Sequence, residues 1–361
     1  MTGNRPLRRA ALGPLLLRLV ARPGRRAALA FAAALALGGP APLAQAQPFD
    51  PARPEVAAFV AELAQRHGFA PGELAALIAR AESRPAILQA IARPAERTLR
   101  WDEYRGKFLT ERRISRGVGV HAERRAELER AAAASGVPVE VLLAIVGVET
   151  LYGENTGKYR VVDALATLAF DYPPRAPFFR GELEQFLLMA REEQLDPLAP
   201  LGSYAGAMGI PQFMPTSFRK WAVDGGGDGH RDLWRDWADV FASVGNYLKV
   251  HGWVAGGPVM VPADASTANL TGVEFGKIGL PETVGSLRRR GVKFDTALGE
   301  DAPATLVALP VGFGNEYRVG FANFHAITRY NRSHMYASAV ADLADAIAAG
   351  VRAAPAPAAA P

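Results

Sequence analysis

Read for apolar and polar positions, the chain divides into amphipathic stretches, one intensely apolar stretch and a region of alternating character. Between 50 and 90, Val56, Phe59, Val60 and Leu63 share one helical stripe, and Leu74, Leu77 and Ile78 share another. Pro71 and Gly72 separate the two, and Pro85 and Pro94 mark further breaks. Residues 112–130 mix arginine and glutamate and predict one solvated helix. The stretch 138–153 is different, being apolar for a dozen residues before it presents a single carboxylate. Leu142, Ile145, Val146 and Glu149 fall at i, i+3, i+4 and i+7. Pro138 suits the first turn and Gly153 the stop. A helix apolar nearly all round is expected to be buried. Residues 163–170 predict a second buried helix. Residues 182–190 predict an amphipathic one with Leu183, Phe186, Leu187 and Ala190 inward and its acids at the surface. From 254 to 324 the period shortens: β-type runs at 259–261, 305–309 and 317–319 lie between glycine and proline turns, which predicts a small β-rich insertion. Helical pattern returns at Ile327 and continues through Ala348.

With 361 residues, 49% hydrophobic and 21% charged, the chain has the composition of a globular protein of one large domain or two to three smaller ones. Its pI near 9.5 invites a nucleic-acid reading. Charge distribution removes it. Arg5, Arg8, Arg9, Arg18, Arg22, Arg25 and Arg26 all lie in residues 1–46, which hold no acid, so losing that segment takes the net charge from +5 to about −2. The remaining body has no basic tract with interleaved aromatics, and nucleic acid is not expected as a partner. Residues 1–46 read as a signal peptide, with a basic start, an apolar run over 27–37 and the small-residue pattern Ala44-Gln45-Ala46 before a cleavage site. An uncleaved anchor is the alternative, although the apolar run is short for a membrane span. The chain has no cysteine, which excludes disulfides and a lipid-modified N-terminal cysteine.

Candidate chemistry centres on Glu149. Burial and the negative end of its helix both favour the protonated carboxyl, the form a general acid needs. The competing reading is a rim glutamate paired with one of the many arginines. The stretch 202–217 has glycines at 202, 206 and 209, prolines at 211 and 215, and the hydrogen-bonding residues Ser203 and Gln212. It reads as a ligand-approach loop or as a connector. The run Asp224-Gly-Gly-Gly-Asp228-Gly229-His230-Arg231-Asp232 resembles a calcium loop, with oxygen ligands at odd spacings and glycine at the turn. It is imperfect, because Gly226 brings no ligand and Arg235 stands where a bidentate glutamate belongs; Asp239 can close a longer loop, and a plain turn is the alternative. His67, His121, His251, His325 and His334 lack metal-ligand spacing and read as structural. No Ser-His-Asp order, cysteine nucleophile or HExxH is evident. Glycosidases usually need two carboxylates, and no second acid stands out beside Glu149. That pattern suggests a reaction in which the substrate supplies its own nucleophile.

Several ordered motifs carry a family resemblance: Gly147-Val-Glu149-Thr-Leu-Tyr-Gly153, Asp163-Ala-Leu-Ala-Thr-Leu168, Gly181-Glu-Leu-Glu184, Gly206-Ala-Met-Gly209 with Gln212-Phe-Met-Pro215, Asp228-Gly-His230 and Ile327-Thr-Arg-Tyr-Asn331. From about residue 49 to 348 the chain resembles the membrane-bound lytic murein transglycosylase B family. The resemblance implies a mainly α (α+β) fold, a lysozyme-like helical core with an extra helical region and a small β-rich inserted domain. The corresponding boundaries are a signal peptide at 1–46, an N-terminal helical region at 47–135, the catalytic core with its cation loop at 136–253, the β-rich domain at 254–324, a C-terminal helix of the core at 325–350 and a disordered Ala/Pro tail at 351–361. It implies non-hydrolytic cleavage of the MurNAc-β-1,4-GlcNAc bond of peptidoglycan to leave 1,6-anhydroMurNAc ends, with Glu149 acting as acid and then base. It places Ser203, Gln212, Tyr247, Tyr330, Asn331, Tyr336, Tyr104 and Phe178 along the sugar groove. It implies a structural Ca²⁺ or Na⁺ at Asp224, Asp228, His230, Asp232 and Asp239, weakened or lost through Gly226, and no cofactor for the chemistry. Peptidoglycan glycan strands are the expected partner, with cell-wall synthesis or division proteins beside them, for a monomer in the periplasm that is not a lipoprotein. A lysozyme-type muramidase and a non-catalytic peptidoglycan-binding scaffold remain as alternatives.

Overall fold

A computed structural model describes residues 46–92, 99–275 and 277–354. The expected signal peptide, but for Ala46, and the end of the tail lie outside them. The N-terminal helices α1 (Pro54–His67), α2 (Pro71–Arg80) and α3 (Pro85–Ile91) each start on a proline, where the missing N–H costs nothing. Val56, Phe59, Val60 and Leu63 of α1 are buried, as are Leu74 and Ile78 of α2. Short strands β1 (Gln47–Pro48) and β2 (Glu82–Ser83) pair antiparallel. Helix α4 (Trp101–Phe108) follows. The expected single helix over 112–130 is two, α5 (Glu111–Glu123), capped by the Thr110 side chain, and α6 (Arg125–Ser135), divided at Arg124. Packing explains the break, since α5 serves α7 (Val139–Thr150) and α14 (His334–Ala353) while α6 turns to α11 (Trp237–Val250).

Helix α7 is the centre. Nine of its twelve residues are buried, and α5, α6, α11 and α14 all pack against it. Strand β3 (Tyr159–Arg160), paired with β4 (Leu201–Gly202), leads into α8 (Val161–Phe170), whose ten residues are all buried. Asp163 on α8 is fully buried and accepts from the Glu82 amide at 3.0 Å and from the guanidinium groups of Arg84 and Arg160. This ties the N-terminal helices to the core. Helix α9 (Ala176–Glu192) is longer than its apolar stripe predicts. Two of its acids are buried rather than at the surface, because other helices cover the polar face: Glu182 accepts from the Thr216 amide at 2.9 Å, and Glu184 meets His67 at 2.7 Å. Thr216 lies in α10 (Pro215–Trp221).

The alternating region forms one antiparallel sheet in the order β5-β8-β7-β6, from β5 (Met260–Ala263), β6 (Glu282–Thr283), β7 (Pro303–Val311) and β8 (Gly314–Gly320), with α12 (Val284–Arg289) beside it. Strand β7 is buried on both faces. Val307 and Leu309 join the main core, while Ala304 and Leu306 join a second cluster with Val284, Leu287, Val319 and Phe321. That is why its sequence reads as a continuous apolar run. The helical stretch expected from Ile327 through Ala348 is also two elements, α13 (Ala322–Tyr330) and α14. Asn331 leaves the helix with extended backbone, and the Ser333 side chain caps α14 by accepting from the Tyr336 amide.

Candidate active site

The site is built on the end of α7. Leu142, Ile145 and Val146 are fully buried, but Glu149 on the same stripe is only half-buried, so the expectation of a fully buried acid is corrected. Glu149 lies one residue from the helix end, and Thr150, Leu151 and Tyr152 after it are buried again. The stop differs too. Leu151 and Tyr152 already take left-handed backbone (φ 52° and 57°) ahead of Gly153 (φ 89°). Two non-glycine residues in succession there are strained. Hydrogen bonds hold the turn. The Leu151 and Tyr152 amides donate to the Gly147 and Val146 carbonyls, and the Gly153 amide donates to Thr150 Oγ1.

The glycine-rich stretch docks on this turn. Thr150 Oγ1 donates to the Ile210 carbonyl at 2.8 Å, and Gln212 Nε2 donates to the Thr156 carbonyl at 3.0 Å and to Gly209 at 2.9 Å. Gln212 itself takes a left-handed backbone, φ 52°. Gly209 takes φ 67°, where a side chain would run into the Leu233 carbonyl. Ser203 closes the other end of the stretch, its Oγ accepting from the Ala205 and Ala207 amides.

Tyrosines form the wall. The Tyr336 hydroxyl donates to Glu149 Oε1 at 2.6 Å across 187 positions of sequence. Tyr330 OH donates to the Pro211 carbonyl at 2.6 Å, and its ring lies 4.8 Å from that of Tyr247. Tyr247 OH donates to the Arg329 carbonyl at 2.6 Å. Burial, and after it the Glu149 charge, pushes the Tyr330 and Tyr336 phenols well above their usual range. Burial pushes Tyr247 up to about 12. These phenols therefore keep their protons and act as donors. Structure thus brings together Glu149, Gln212, Tyr247, Tyr330 and Tyr336, with Asn331 on the segment joining α13 to α14.

Two further expected groove residues lie on α4 and α9. Tyr104 is 3% exposed, stacked on Trp101 and close to Tyr336. Phe178 is exposed on α9, where its ring contacts are Phe179 and the Arg175 guanidinium, 4.4 Å from its centre. In the expected cation loop, the carboxylates accept from backbone amides. Asp224 accepts from the amides of Gly227, Asp228 and Gly229, which hold its carboxyl below the usual range. Asp228 accepts from the His230 amide, Asp232 from Trp234 and Arg235, and the buried Asp239 from Gly225, Gly226 and Asp232. Among the described residues no three histidine, aspartate or glutamate side chains gather as a ligand set. The carboxylates fold inward onto the loop's own amides.

Sequence reasoning missed Thr150 and Tyr152, which shape the turn after Glu149. Their signal lay in the polar pair that breaks an otherwise apolar stretch.

Comparison with known proteins agrees with this geometry. A family described as transglycosylase SLT domain matches residues 51–345. Membrane-bound lytic murein transglycosylase B of Escherichia coli (strain K12) is 41% identical over 304 residues, which is 82% of this chain and 83% of that protein. The soluble lytic transglycosylase SltB1 of Pseudomonas aeruginosa is 49% identical, with a TM-score of 0.78 over 83% of this chain and 100% of that one. The E. coli lytic transglycosylase Slt35, solved in complex with calcium, is 41% identical, with a TM-score of 0.77 over 85% of this chain and 97% of that one. By sequence over most of its length, and by a lysozyme-like fold with Glu149 at the end of the central helix, the chain belongs to the transglycosylase SLT domain family of lytic transglycosylases.

Proposed function

We propose that this chain is a peptidoglycan lytic transglycosylase that cleaves the MurNAc-β-1,4-GlcNAc bond without water and leaves 1,6-anhydroMurNAc ends. One observation carries the reading: a carboxylate that reaches the surface from a buried helix is held by a phenol that keeps its proton. Glu149 would protonate the glycosidic oxygen as the C1–O bond breaks. The substrate's 2-acetamido oxygen would stabilise the developing positive charge at C1. The Glu149 carboxylate would then take the proton of the 6-hydroxyl as O6 bonds to C1, so the acid returns to its starting state and no water is consumed. Gln212, Tyr330, Asn331 and Ser203 line or border the approach and suit the sugar's amide and hydroxyl groups.

The substrate belongs to the cell envelope, and we place the mature chain in the periplasm, working as a monomer. The test is mass spectrometry of muropeptides released from purified sacculi by residues 47–361, beside the Glu149→Gln variant. Anhydromuramoyl products from the first and none from the second are expected. Reducing-end products would assign a muramidase instead, and sacculus binding without products a scaffold.

A further inference from the structure

The turn after Glu149 is strained, and one side chain sits where it can hold that strain. The Tyr152 ring folds back beneath α7 and lodges between two helices. A Cβ built on Gly147 of α7 would lie 2.6 Å from the Tyr152 oxygen and 2.8 Å from the ring carbon that bears it. A Cβ built on Gly117 of α5 would lie 2.4 Å from the same oxygen. Neither glycine has positive φ, so what each supplies is room for this ring. Tyr152 is 3% exposed, and its hydroxyl is buried without a hydrogen-bond partner among the described residues. Such an arrangement disfavours folding. Next to it, the Arg113 side chain donates to the Gly147 carbonyl at 2.9 Å and ties α5 to the same turn of α7.

We propose that Tyr152 is a positioning residue for Glu149: its ring, wedged between Gly117 and Gly147, holds the left-handed turn that ends α7 and thereby sets the carboxylate against Tyr336. This rests on the activity proposed above. A displacement of about 1 Å in a reacting group costs on the order of a hundredfold in rate.

Gly117→Ala tests it from a neighbouring helix. The new methyl meets the phenol oxygen, so kcat on sacculi should fall about 10- to 100-fold with KM within about twofold. At one fixed pH, the ¹³C resonance of the Glu149 carboxyl should shift. Adding Tyr152→Phe removes the colliding atom while keeping the ring, and Gly117→Ala/Tyr152→Phe should recover most of both. A Gly117→Ala protein with a lower Tm but unchanged kcat and resonance overturns the proposal, as does a double variant that recovers neither. If Gly117→Ala does not fold, Tyr152→Leu decides: a folded protein with wild-type kcat and resonance overturns it, and a loss of both supports it. A wild type that releases no anhydromuramoyl ends refutes the activity, and the resonance still decides the positioning.

Discussion

At the scale of single residues, the site depends on which groups hold protons. Tyr336 is a donor to Glu149 because burial keeps its phenol protonated. Tyr336→Phe keeps the ring and deletes the hydrogen bond. Turnover of sacculi should fall about 10- to 100-fold with KM little changed, because the loss concerns the orientation of the acid and not the hold on the sugar. Steady-state assays of anhydromuramoyl release would show it, and a KM rise at constant kcat would speak against it. Glu149 was legible in the sequence as the lone acid on an apolar stripe. Its degree of burial was not, because a helical period gives the face and not the depth. Tyr104 and Tyr336 illustrate the same limit. Both are aromatic residues in polar surroundings, yet only the packing of α14 on α4 and α7 shows that the two lie side by side and that Tyr336 touches the acid.

At the scale of elements, boundaries were read least well where two helices run on without a proline or glycine. The breaks at Arg124 and at Asn331 follow from the neighbours each half packs against, which no local pattern reveals. Buried acids on α8 and α9 escaped for a related reason: a carboxylate covered by another helix looks in sequence like one facing water. Asp163 provides a test. It is fully buried, and its partners Arg84, Arg160 and the Glu82 amide belong to or flank the elements that dock on α8. Asp163→Ala should destabilise the protein by about 2–4 kcal/mol, less than a fully enclosed pair because both arginines are partly solvated. Chemical denaturation would measure it. Proteolysis in the 80–92 region should accelerate at the same time. A shift under about 0.5 kcal/mol would mean the cluster is ornamental to folding.

At the scale of the whole molecule, the change of texture near Val254 marked the sheet correctly. The two-sided burial of β7 was hidden, since an apolar run does not say how many cores it serves. The histidines give a global prediction. Burial holds His251, His325 and His334 below their usual value of 6.5. Each binds fewer protons folded than unfolded, so the stability concerned is present above the unfolded pKa and is lost as pH falls through 6.5 and below. The urea midpoint should therefore drop between about pH 7.5 and 5.5, and a His251→Gln/His325→Gln/His334→Gln variant should flatten that drop. An equal drop in both proteins would assign it to carboxylates instead.

The hydrogen bond between Tyr336 and Glu149 joins the middle of the chain to its last described helix, 187 positions apart. A chain delivered N-terminus first carries its acid long before the partner that orients it. Full wall-cutting activity is then a property of the finished molecule: a nascent or clipped chain ending ahead of Ser333 holds the blade but not the hinge, and cuts at a fraction of the rate the folded whole reaches.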